Sequence, residues 1–103
     1  MDIRKVETVD GIIIYLEGDF TFASRNEFQE VAFLYPNEAI TKIIVDIQKL
    51  KFMDSSAIGM LLVMHENAKK RGIHVAVVNV GKNIKPLFEK SALGNLFEAK
   101  YEE

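Results

Sequence analysis

The chain has 103 residues, 49% of them hydrophobic and 27% charged, with no Cys and a formal net charge of −2. This size and balance suit one soluble globular domain spanning residues 1–103 and exclude a disordered chain, which lacks the apolar surface to offset ordering entropy. The charge disfavours nucleic-acid binding, which needs a clustered basic face. The missing thiols exclude disulfides, thiol catalysis and zinc–thiolate sites.

Residues 3–8 and 11–17 read as two strands joined at Asp10-Gly11, a hairpin signal resting on the tolerance of Gly for positive φ. The run Ile12-Ile13-Ile14-Tyr15-Leu16 predicts a strand covered on both faces. Residues 24–35 follow as a helix, with Phe28, Val31, Ala32 and Tyr35 on one face. Ser24 and Glu27 fit a capping box, and Pro36 stops continuation.

Residues 42–47 form a third predicted strand, and residues 48–53 a loop. A second helix spans 55–71, with Ile58, Leu61, Leu62 and Ala68 as its buried stripe and Gly72 as its stop. The cluster Lys69-Lys70-Arg71 complements the negative end of that helix. Residues 74–80 are a fourth strand. Asn83 caps a third helix reaching about Leu93, with Pro86 in its first turn and Gly94 beyond. The tail from Asn95 holds a short edge strand or a turn. The fold class is therefore α/β: a mixed, mostly parallel sheet of four to five strands with three to four helices.

In such sheets, functional groups gather beyond the carboxyl ends of the parallel strands. Two loops meet that condition, residues 18–23 and 48–56. In the second, Asp54, Ser55 and Ser56 enter a helix directly after Phe52-Met53. Two readings stand. Asp and Ser are preferred N-caps because their oxygens accept unpaired backbone N–H groups. Alternatively, a serine here is a phosphoacceptor: a phosphate adds about −1.5 to −2 charge and meets the positive end of a helix dipole without requiring unfolding.

The stretch Ile44-Val45-Asp46-Ile47 followed by Phe52-Met53-Asp54-Ser55-Ser56-Ala57-Ile58-Gly59 resembles the anti-sigma factor antagonists, which are single STAS domains. The likeness extends over nearly the whole chain, including Gly18 and residues 74–93. It implies a bacterial regulatory binding protein whose first hydroxyl residue, Ser55, is phosphorylated by a serine kinase that is also the anti-sigma factor. A PP2C-type phosphatase reverses the modification, and the unmodified form binds the kinase and frees a sigma factor. Asp54 flanks the acceptor and helps the kinase place the hydroxyl. Ser56 is a helix-cap partner or a minor acceptor.

The expected docking face comprises Gly18, Asp19, Phe20, Thr21 and Phe22 of the first loop, residues 53–57 around the serine (Met53 and Ala57 among them), and the outer side of the second helix. Of the apolar residues flanking the two loops, Phe20, Phe22, Phe52 and Met53, most are expected in the core, while an exposed pair would anchor a partner. Gly59 on that helix reads more as a close-packing residue than as a partner contact. Two positions depart from the family pattern. Ala57 stands where Gly is usual, filling space where a partner backbone approaches. Thr21 stands at a usually acidic position in Gly18-Asp19-Phe20-Thr21. These departures suggest a divergent branch, whose phosphatase can be fused to a response regulator and whose outputs include biofilm, motility or stress control.

Other constellations are weaker. His65 and His74 lack ligand spacing. Asp19, Asp46 and Asp54 offer the oxygen ligands of a Mg²⁺ site but read as solvated loop acids. No nucleophile–base pair or cofactor motif is visible, so the expectation is no enzyme, no cofactor and no metal. No apolar run approaches the ~20 residues of a membrane helix, and the opening residues lack the apolar core of a signal peptide. Membrane insertion is not expected, and the expected location is the cytoplasm. The alternative function is a constitutive STAS scaffold, such as a subunit of a membrane transporter, in which the serines only cap or contact.

Overall fold

The computed structural model describes residues 1–32, 40–91 and 98–101. In chain order the elements are β1 (Asp2–Glu7), β2 (Gly11–Phe20), a 3-10 turn (Phe22–Ser24), α1 (Arg25–Ala32), β3 (Lys42–Met53), α2 (Ser55–Lys70), β4 (His74–Val80), α3 (Lys85–Lys90) and β5 (Glu98–Tyr101). The five strands form one sheet in the order β1-β2-β3-β4-β5. β1 runs antiparallel to β2, and the remaining neighbours are parallel. This is the mixed, mostly parallel sheet expected, and the tail supplies its edge strand.

Period-two alternation in the strands points one set of side chains at the helices. Ile12, Ile14 and Leu16 of β2 join Ile43, Val45 and Ile47 of β3, and Val75 and Val77 of β4. The buried helix residues complete the same cluster: Phe28 and Ala32 of α1, Ala57, Met60, Leu61, Met64 and Ala68 of α2, and Phe88 of α3. The helices α1, α2 and α3 among the described residues thus pack on one sheet face. The opposite face carries Ile13, Tyr15, Ile44, Asp46 and Val78, all only half-buried. Arg4 lies over the Tyr15 ring there at 4.4 Å. The two-sided cover expected for β2 is thus corrected: its apolar run packs tightly on one side only.

Both central strands run longer than their apolar runs suggest. β3 does not end at Ile47; it continues to Met53 with the burial of Leu50 and Met53. β2 continues to Phe20, so that Gly18 pairs with Leu50 and Phe20 with Met53. Register shifts after Tyr15 and after Gly18 break strict alternation, which is why the polar stretch Gln48-Lys49 resembles a loop.

Gly11 does not adopt a positive φ. It is required by proximity, since a Cβ there would lie 1.9 Å from the Lys42 carbonyl oxygen. Gly72 does take the left-handed conformation (φ 72°) and stops α2 as expected.

Two capping expectations change. α1 begins at Arg25 after the 3-10 turn, and the capping box is formed by Thr21 and Ser24 rather than Ser24 and Glu27. Asn83 does not cap α3. Its side-chain amide donates to the carbonyls of Leu50 (3.3 Å) and Lys51 (2.8 Å), tying the α3 approach to the end of β3. α3 ends at Lys90 with Ser91 in extended conformation, short of the expected reach to about Leu93. The predicted helix-end residues Tyr35 and Pro36, and Leu93 and Gly94 themselves, lie outside the described residues.

Candidate functional site

β2 and β3 end side by side, with Asp19 paired to Phe52 and Phe20 to Met53. Their exits therefore bring Thr21 and Asp54 to the same sheet end. Asp54 is the N-cap of α2, in extended conformation, and its Oδ1 accepts from the Ala57 N–H at 2.9 Å. Its Oδ2 accepts from the Phe22 N–H at 3.3 Å. The Asp54 N–H in turn donates to the Phe20 carbonyl at 3.2 Å. One residue thus caps the helix and fastens it to the first loop.

The first loop holds its own shape. Thr21 Oγ1 accepts from the Ala23 N–H, and Ser24 Oγ accepts from the Thr21 N–H while donating to the Asp19 carbonyl. Thr21, which departs from the family's usual acid at this position, is a turn-capping residue and presents no charge. Gly18 has φ +97°, a conformation that a side chain would strain. Asp19 is exposed.

With Asp54 as the cap, Ser55 and Ser56 occupy the first two helical positions, whose N–H groups have no intrahelical partner. Ser55 is exposed and Ser56 half-buried. Neither hydroxyl has a hydrogen-bond partner among the described residues. This corrects the capping role assigned to Ser56. It also gives Asp54 a structural task, with both carboxylate oxygens engaged by backbone.

Three further expectations are corrected by burial. The side chains of Phe20 (0% exposed) and Met53 (4%) lie in the core, as favoured for most of the loop-flanking apolar residues, so their place in the docking face falls away. Ala57 (0%) points its methyl into the same core, so it does not obstruct an approaching partner. Gly59, by contrast, has no heavy atom of the described residues within 4 Å of an added Cβ, so it serves no close packing among them.

Beside the serines lie Arg25, Gln29 and Val63, which sequence reasoning did not single out, together with Phe22 and Gly59 of the expected docking face. A groove of about 350 Å³ between α1 and α2 is lined by Phe22, Arg25, Gln29, Ser56, Gly59, Met60 and Val63. Phe22 is 58% exposed and Val63 53%. The Arg25 guanidinium sits over the Phe22 ring at 4.3 Å. The core reading of Phe22 is thereby corrected: it follows the buried strand-end Phe20 by two residues, but the 3-10 turn rotates it outward.

The three acids weighed as metal ligands do not converge. Asp46 accepts from Asn79 Nδ2 and from the Gln48 N–H, both at 3.0 Å, on the face away from the helices. Asp54 is occupied by backbone, and no cluster of three potential ligands exists among the described residues. Among these residues, too, no helix is long and apolar enough to cross a membrane.

The family model of the STAS domain matches residues 2–103. A STAS-domain containing protein of Pseudomonas aeruginosa (strain UCBPP-PA14) is 28% identical over 102 residues, covering 95% of this chain and 98% of that protein. The solved structure of the anti-sigma factor antagonist SpoIIAA in its unphosphorylated form superposes with a TM-score of 0.75 at 22% identity, covering 95% of this chain and 87% of that one. The SulP transporter STAS domain of Vibrio cholerae gives 0.67 at 26% identity, over 85% of this chain and 70% of that one.

Proposed function

The chain belongs to the STAS domain family, and from that premise we propose that it is a phosphorylation-switched docking protein acting as an anti-sigma factor antagonist. Ser55 is the acceptor. The observation that carries the reading is its position: an exposed hydroxyl without a hydrogen-bond partner among the described residues, at the first turn of α2, beside a cap that Asp54 already supplies. The fold likeness to SpoIIAA supports the same reading.

In the proposed cycle a serine kinase that is also the anti-sigma factor binds the unmodified protein. Ser55 Oγ takes the γ-phosphoryl group of ATP, ADP leaves, and the hydroxyl proton passes to a base of the kinase. A PP2C-type phosphatase, in some architectures fused to a response regulator, returns the serine by hydrolysis. The effector released by binding is a sigma factor or a protein of similar standing. The chain is the substrate in this cycle, working in the cytoplasm.

The switch needs no refolding. A phosphate on Ser55 faces the free amides and the positive end of α2, so the fold accommodates it. Its effect falls on the docked partner. A unit charge facing a partner carboxylate at 4 Å meets about 4 kcal/mol of repulsion at an effective dielectric of ~20. Screening reduces this at an exposed site, yet about 2.8 kcal/mol already weakens binding a hundredfold.

Affinity capture from the native host tests the reading, using wild-type protein and Ser55→Asp as baits. The expected result is a protein held by the wild type alone that transfers phosphate from ATP to Ser55. Identical captures on both baits, with no transfer, would favour the second reading, a constitutive scaffold. That alternative draws on the likeness to a transporter STAS domain.

A further inference from the structure

The groove between α1 and α2 has three features that internal stability does not account for. Phe22 and Val63 are large apolar side chains left more than half exposed. Gly59 lies within α2, where glycine is a poor helix former, and no neighbouring atom forbids a side chain. Arg25 stacks on Phe22 and has no carboxylate partner among the described residues.

Together they describe a receptor. Gly59 lines the groove together with Phe22, Met60 and Val63, and its missing side chain leaves that stretch open. Stacking on the ring holds the guanidinium in place, so less freedom is lost when it pairs. A guanidinium with no ion pair at an apolar rim is complementary to a carboxylate, which it binds through two parallel charge-assisted hydrogen bonds.

We propose that this groove seats an acidic–apolar segment of the partner: a Leu-sized side chain over Gly59 and a neighbouring carboxylate on Arg25. The proposal rests on the reading of this face as a switched docking surface and adds the chemistry of its occupant. It also specifies how the switch acts. Ser56 lines the groove and Ser55 precedes it, so phosphate on Ser55 repels the incoming carboxylate and competes with it for Arg25.

The probes are two synthetic amphipathic helical peptides that share a Leu face and differ only in carrying Glu or Lys beside it. Each is titrated into the isotopically labelled full chain, and amide NMR shifts are read residue by residue. The Glu peptide is expected to move Phe22, Gly59 and Val63 saturably and to bind at least tenfold tighter than the Lys peptide. Arg25→Glu should reverse that preference. Gly59→Leu should abolish binding of both while leaving the remaining spectrum dispersed. Ser55→Asp should weaken the Glu peptide at least tenfold. Equal affinity for the two peptides, a preference that survives Arg25→Glu, or shifts confined to other surfaces would overturn the proposal. Such a failure is separable from failure of the switch: phosphate located on Ser55 in the host would stand without the groove. Groove selectivity would likewise stand without phosphate.

Discussion

Asp54 carries more of the local structure than either serine that follows it. Its two oxygens hold one N–H of α2 and one of the first loop. Asp54→Ala should therefore remove a cap and a loop tether together, lowering stability by about 1–2 kcal/mol. For a domain of this size that corresponds to a fall in Tm of about 4–8 °C per kcal/mol, measurable by thermal unfolding. Asp54→Asn should cost less, because an amide oxygen can still accept from Ala57 while its nitrogen cannot accept from Phe22. Ser55→Asp should behave oppositely. An acid at the first helical position meets the positive dipole end, so stability should stay within about 0.5 kcal/mol of the wild type. A large loss in the same unfolding experiment would contradict the claim that the switch leaves the fold intact.

Among the elements, β2 and β3 show how glycine acts by proximity. Gly11→Ala drives a Cβ into the Lys42 carbonyl, where backbone must move. Overpacking of this kind costs about 1–3 kcal/mol, and denaturant midpoints should fall accordingly. Gly59→Ala should do the reverse, stabilising α2 by up to about 1 kcal/mol, since the position is open and Ala is the better helix former. The helices and strand cores were legible in the sequence because 3.6 and 2.0 periodicities survive wherever one face is buried. Strand ends were less so. The shifts after Tyr15 and Gly18 break alternation where β2 and β3 run on to Phe20 and Met53. Capping was legible as a need but not as an assignment. Thr21, Ser24, Asp54, Ser55, Ser56 and Asn83 all have suitable side chains, and only the backbone path selects which oxygen meets which N–H.

At the scale of the molecule, one sheet face carries the helices, and the switch sits at the sheet end where β2 and β3 finish. Ser55 stands outside the core, while its neighbours Met53 and Ala57 are part of it. That arrangement lets charge at Ser55 change the surface and leave the interior alone. The acceptor was legible from the motif, but its surroundings were not. Parity along the chain cannot tell that Phe20 is buried and Phe22 exposed, because a 3-10 turn begins between them. Nor does any periodicity bring Arg25 onto the Phe22 ring or Gly59 into the same groove. The most direct test is site-resolved mass spectrometry of the protein purified from its native host during growth, starvation and stress. A fraction of chains should carry one phosphoryl group, located on Ser55 by fragmentation across residues 52–69, with the fraction changing between conditions. An unmodified Ser55 under every condition would contradict the proposed switch.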